Sequence, residues 1–284
     1  MNKFKILLKK DWIINKKSLL IPFWVTAGFY LLMLISLAIA YFHKDATISG
    51  FSEFPPFPSG VINYIGNMGI VALPGVISLL ITILIMQSAL NEDMRKNYEL
   101  FHRSQPVSLW ARVGSKFMMG TAANWAVLFI ISIFNFIVLN SVLIYHKQFV
   151  FGAAFTGMLQ PLVVIMKTGL VLGSMTFFAS AIFKDKAFFK GTVVLVSLQF
   201  MFLILNAIFN WHIPTPLGLL TNLMETKNLA ISGSEISEID LNYLLKDRWN
   251  EILFNMKTVY QILLSAVFFV AATFIYDNRE VKID

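Results

Sequence analysis

The chain has 284 residues, 57% of them in the apolar and aromatic set and only 14% charged, with a mean hydropathy of +0.70. A soluble domain carries about 25% charged residues, so this composition excludes a soluble enzyme and a disordered chain. Cysteine is absent, which excludes a disulfide framework, a thiolate nucleophile and a Cys-ligated metal. The net charge of +7 is accounted for by membrane topology, and no nucleic-acid partner is expected.

Residues 1–18 predict an interfacial helix. Phe4, Leu7, Leu8, Trp12 and Ile14 share one face of the helical wheel, and Lys5, Lys9 and Lys16 lie opposite. Such a helix rests on a leaflet with its lysines toward anionic headgroups. Six apolar runs follow, over about 19–42, 69–90, 117–144, 151–183, 191–209 and 258–276, and none contains Asp or Glu. A hydrocarbon core of roughly 30 Å takes about 20 residues of helix. The runs are too long and unbroken for barrel strands. The expected fold is an all-α membrane protein with six transmembrane helices, forming a single transmembrane domain over 1–284. Ala38-Ile39-Ala40 has the form of a signal-peptidase site, but the apolar run before it is too long for a signal core, so the first span is expected to be retained.

Sixteen of the 23 Lys and Arg residues fall on the side that holds the N-terminus, six fall on the other, and Lys167 lies within a span. The positive-inside rule then places both termini in the cytoplasm. The segment 43–68 is external, and Pro55-Pro56-Phe57-Pro58 forbids regular helix there. The connection 91–116 is cytoplasmic and longer than a turn requires. It mixes Glu92, Asp93, Arg95, Lys96, Glu99, Arg103, Arg112 and Lys116 with apolar Leu100, Phe101, Val107, Leu109 and Trp110. Apolar groups ringed by charge form a docking surface or tuck against the membrane interface.

The fourth span carries Gly169-x-x-x-Gly173, a spacing that lets helices approach closely, within one chain or between two. Lys167 is expected in the outer leaflet, snorkelling to the surface or into a watery cavity. Asn124, Asn135, Asn140, Gln160, Gln199 and Asn206 are among the other polar residues of the spans, suited to interhelical hydrogen bonds or to a substrate path. The outer segment 210–257 is the longest connection. Residues 241–257 predict a surface helix with Leu244, Leu245, Trp249, Ile252 and Leu253 on one side.

No P-loop, zinc helix or nucleophile elbow is present, and the four histidines are scattered. No catalytic, cofactor-binding or metal-binding residue is assigned. A transporter built this way would need its energy from a partner.

This layout resembles the permease subunits of ABC-2 type transporters. At residue level the resemblance rests on Glu99-Leu100-Phe101-His102-Arg103-Ser104-Gln105-Pro106-Val107-Ser108 followed by Lys116 at the head of the third span. Family members often show Glu, then Leu-x-x-Ser-x-Pro-Val-Ser, then Lys. This chain departs in having Phe-His-Arg before the serine. The resemblance implies a cell-membrane exporter subunit, in the bacterial cytoplasmic membrane, whose ATP-Mg is held by a separate ABC ATPase. It also implies a second permease copy or paralogue. The coupling surface would comprise Glu92, Glu99, Phe101, Arg103, Ser104, Pro106, Trp110, Arg112 and Lys116. Asn124, Asn135, Gln160, Lys167, Gly169 and Gly173 would serve the pathway or helix packing, with lipids around them. The competing readings are a non-transporting scaffold or sensor subunit, and an intramembrane enzyme on lipids, which would need an activated polar pair that the spans lack.

Overall fold

The computed structural model describes residues 3–42, 58–91, 107–224 and 242–278. Helix α1 (Lys3–Leu19) runs into α2 (Ile21–Phe42) through a turn at Leu20. Pro22 has no N–H to donate four residues back, so the helix is interrupted there. Then come α3 (Ser59–Ala89), α4 (Leu109–Met118), a π-turn (Met119–Ala123), α5 (Asn124–Tyr145), α6 (Phe151–Ile182) and α7 (Ala187–Phe209). The chain closes with α8 (Pro216–Met224), a second π-turn (Tyr243–Asp247), α9 (Arg248–Leu253) and α10 (Met256–Asp277). No strand occurs among the described residues. Six helical stretches there are long and apolar enough to cross a membrane, and the chain is a multi-pass membrane protein.

Helix α3 begins ten residues before the apolar run that predicts it, at Ser59. Its first turns are polar, so hydropathy misses them. They are helical because Val61, Asn63, Tyr64 and Asn67 are buried, Tyr64 against Gly157 of α6, Asn67 against Asn140 of α5 and Asn63 against the segment that leads into α6. At 31 residues, α3 is about 46 Å long and exceeds the membrane core.

Helices α3 and α6 form the central pair, with α5 on one flank and α10 on the other. Little hydrophobic force acts between helices in lipid, so small residues and hydrogen bonds hold them. Helix α6 supplies the small residues: Ala153, Ala154, Gly157, Gly169, Gly173, Ser174 and Ser180 are all buried. Gly169 and Gly173 face α3 of the same chain, Gly169 against Leu79 and Gly173 against Thr82. A Cβ on Gly173 would lie 2.9 Å from Thr82 Cγ2. Their spacing therefore serves packing within the chain.

Helix α3 also contains Pro74, which leaves the Ile70 carbonyl without its helical donor. Asn135 Nδ2 of α5 donates to that carbonyl at 3.1 Å, and Tyr30 of α2 donates its hydroxyl to Asn135 Oδ1 at 3.0 Å. One amide thus repairs the proline break and ties three spans. Asn135→Ala is expected to lower unfolding free energy by about 0.6 to 1.7 kcal/mol, the range of interhelical hydrogen bonds in bilayers. Pairing it with Pro74→Ala should recover part of the loss in thermal melts, because the carbonyl regains a backbone donor.

The predicted outer helix over 241–257 is realised in pieces. Leu244, Arg248 and Ile252 are the buried positions, a spacing of four that turns Arg248 inward. The helix stops at Phe254, and α10 starts afresh from Asn255, whose side chain accepts from the Lys257 N–H at 3.0 Å.

Candidate functional site

The helices meet in two polar clusters, one at each end of the central pair. The first is at the terminal face, beside the N-terminal helix. Here α1 lies against α4 and the end of α3. On α1, Trp12, Ile13 and Ile14 are exposed on the protein surface, as a face resting on a leaflet would be, while Leu7, Asp11 and Leu19 are buried. Asp11, which the sequence does not single out, is only 3% exposed. A buried carboxylate needs partners. Ser115 of α4 donates its hydroxyl to Asp11 Oδ2 at 2.6 Å, and Lys10 Nζ stands 3.9 Å from Asp11 Oδ1. Arg112, Lys116 and Tyr276 border a cavity of about 10 Å³ beside it, the size of one water.

Lys116 donates from Nζ to the Ala89 carbonyl at 2.7 Å. Carbonyls at a helix end lack helical partners and carry partial negative charge, which suits a lysine. Asn91, just beyond α3, donates to the Phe183 carbonyl at the end of α6 at 2.7 Å. Underneath, Phe117 of α4 sits edge-on to Phe177 of α6 at 5.4 Å and against Phe269 of α10 at 5.0 Å. Trp110 packs its ring near Phe269 and Phe274 while staying 47% exposed. Of the predicted coupling residues, Trp110, Arg112 and Lys116 are therefore gathered at this face. Glu92, Glu99, Phe101, Arg103, Ser104 and Pro106 lie outside the described residues.

The second cluster is at the opposite face. Arg248 donates from Nη1 to the Tyr64 hydroxyl at 2.7 Å, with its guanidinium 5.8 Å from the ring centroid. The Tyr64 hydroxyl donates to Gln160 Oε1 at 2.6 Å, and Gln160 Nε2 to the Leu244 carbonyl at 2.8 Å. Nearby, Asn67 and Asn140 exchange amide hydrogen bonds of 3.2 and 2.9 Å. Asn63 Nδ2 reaches the Gln148 carbonyl at 2.6 Å, and Asn63 Oδ1 accepts from the Val150 N–H at 3.2 Å. Lys167, from the middle of α6, donates to the Ile252 carbonyl and, at 2.7 Å, to the Thr258 hydroxyl. Its ammonium thus reaches toward the segment between α9 and α10, where it satisfies a carbonyl at a helix end.

Asn124 follows the first π-turn and donates to the Ser78 carbonyl at 2.7 Å and to Thr82 Oγ1 at 2.8 Å, while its own Oδ1 is buried without a partner. The proposed pathway residues thus act as interhelical donors and close-packing positions. Asp11 and Arg248 escape sequence reasoning. Each reads as one more charge beside a membrane boundary, and burial is a tertiary property. The only advance signal is the four-residue spacing of Arg248 with Leu244 and Ile252. No group of metal-ligating side chains is assembled among the described residues. The chain matches no family model, no curated protein and no solved structure.

Proposed function

We propose that this chain is the membrane-spanning subunit of an ATP-driven ABC exporter of the ABC-2 type, working with a separate ATPase and a second permease. Both termini and the connection 92–106 would face the cytoplasm of a bacterial cell. The observation that supports the reading is the junction at the terminal face. The connection leaves α3 at a point that Lys116 grips through the Ala89 carbonyl. It re-enters at α4, which Ser115 ties to Asp11 of α1. A pull on the connection is therefore delivered to α1, α3 and α4 together, and through the Phe117, Phe177 and Phe269 cluster to α6 and α10. That is what a coupling element requires. A partner's ATP-driven closure moves the membrane helices only by favouring one arrangement of them over another. Mixed charge on the connection would orient the partner, and its apolar groups would supply contact area.

The test is recovery of partners from native membrane in mild detergent, read by mass spectrometry. A stoichiometric chain bearing a P-loop is the expected result. A Glu99→Arg, Arg103→Glu double variant is expected to insert normally and lose that chain. Intact membrane complexes without any P-loop chain would overturn the proposal and leave a scaffold or sensor subunit as the better reading.

A further inference from the structure

Helix α1 has a second side, turned away from the protein. Its inner side carries Asp11, bonded to Ser115 of α4, and Leu7, which borders the same small cavity as Val113. Opposite them Ile6, Ile13 and Leu20 recur every seven residues, and they are 46%, 54% and 41% exposed. Seven residues make about two turns of helix, so these side chains form a row along the axis. Lysines border the row on both edges. Lys9 and Lys16 each follow an isoleucine of the row by three residues and stand on one edge, and Lys17 follows Ile13 by four and stands on the other. All three are exposed, as is Lys5 beyond Lys9. Asp11 is the one acidic residue of α1, and it points inward.

We infer that this outward side of α1 binds anionic phospholipid, with the isoleucine row in the acyl boundary and the lysines on the phosphates at either edge. The slant of α1 carries the argument. From Asp11 to Leu19 the helix advances eight residues, about 12 Å. Their partners, Ser115 and Met119, are four residues apart, about 6 Å along α4. Helix α1 is therefore inclined by about 60° to α4, which continues through the π-turn into the span α5. Leu19 packs on Ile81, Ile85 and Met119 of the spans, so it lies at the edge of the hydrocarbon. Lys9 is ten residues back, about 15 Å along α1, but at this slant only about 7 Å farther out. The headgroup layer is roughly 5–7 Å deep, so Lys9, Lys16 and Lys17 all stand within it. Lysine stems cover apolar surface while the ammonium reaches the phosphates, and basic side chains at this depth attract anionic lipid. A helix with such a surface binds through its buried apolar row together with that attraction. The same depth favours lipid over a water-borne protein as the occupant. The inference stands whether or not the chain transports anything.

The full chain has no cysteine of its own, so Ile13→Cys gives a single site for a fluorescent label in the middle of the row. The labelled chain is reconstituted in vesicles of phosphatidylglycerol and phosphatidylcholine in equal amounts, with bromine on the acyl chains of one lipid or the other. Quenching then reports which lipid lies against the label. With the lysines intact, a preference of about fivefold for phosphatidylglycerol is expected, what one lysine near a headgroup layer confers. Raising salt from about 0.05 M to about 1 M should bring the two lipids near parity, because exposed charges are screened. Lys5→Gln, Lys9→Gln, Lys16→Gln and Lys17→Gln together should do the same. Lys184→Gln with Lys190→Gln removes two charges elsewhere on the terminal face and should leave the preference as it was. Each variant is first checked for a single gel-filtration peak, and the salt series tests the same point if the four-lysine variant misfolds. Equal quenching by both lipids at low salt, or an unchanged preference in the folded four-lysine variant, would overturn the inference. So would a label that neither lipid quenches, which would mean that protein covers the row.

Discussion

Gly157→Ala is expected to destabilise the protein by about 2 to 3 kcal/mol, the largest cost among the described glycines, because the clash is with backbone. A Cβ at Gly157 would overlap the Tyr64 carbonyl oxygen and lie 2.9 Å from Tyr64 Cα. Overpacking is often relieved by rotating a side chain. Here the obstacle is backbone of a neighbouring helix, so relief requires moving α3 from α6 where they are closest. That shift would also displace the Tyr64 hydroxyl from Gln160 and Arg248, at the same end of the pair. Gly152→Ala is the control, because a Cβ there meets nothing within 4 Å. Thermal melts of the two variants in one detergent check the contrast. Equal melting temperatures would mean the two helices are not in close contact at this point.

Arg248→Ala carries the second large effect, an expected loss of about 2 kcal/mol. Arg248 is 4% exposed, and hydrogen bonds to charged groups contribute roughly 1.5–3 kcal/mol. Truncation removes the donor to Tyr64 and opens space among Leu244, Tyr64 and Ala153, which pack together. Arg248→Lys should recover only part of this, since an ammonium does not reproduce the planar donor set lying near the Tyr64 ring. Tyr64→Phe alone should cost less than Arg248→Ala. The double variant should fall short of the sum of the two, because both remove the same hydrogen bond. Simple additivity in a double-mutant cycle would show that the arginine and the tyrosine act independently. The second π-turn immediately precedes Arg248, and its extra residue per turn shifts the register that follows. Deleting one residue from Tyr243–Asp247 would be expected to rotate Arg248 out of the cluster and give the same loss.

How far the sequence could be read depends on the range of the forces involved. Six spans, their order and the all-helical class are legible because a bilayer imposes a local rule: every run of about 20 apolar residues satisfies its own backbone as helix. The N-terminal helix and the continuation of structure beyond residue 241 are legible from periodicity for the same reason. The early start of α3 is not, since its first ten residues are helical through burial against α5 and α6 rather than through their own hydropathy. Likewise Gly169 and Gly173 announce a close contact, while the tighter one at Gly157 has no second glycine four residues away in α6 to mark it.

Composition and local pattern by themselves determined that this chain crosses a membrane as helices and carries basic residues mainly on one side. Which polar side chains matter was decided only by the tertiary structure. Asp11, Asn135, Lys167 and Arg248 owe their roles to partners between 65 and 184 residues away in sequence. A charge at a membrane boundary looks the same in sequence whether it faces water or a neighbouring helix. In hydrocarbon the difference is whether a polar group finds a partner, and that is settled when the helices pack.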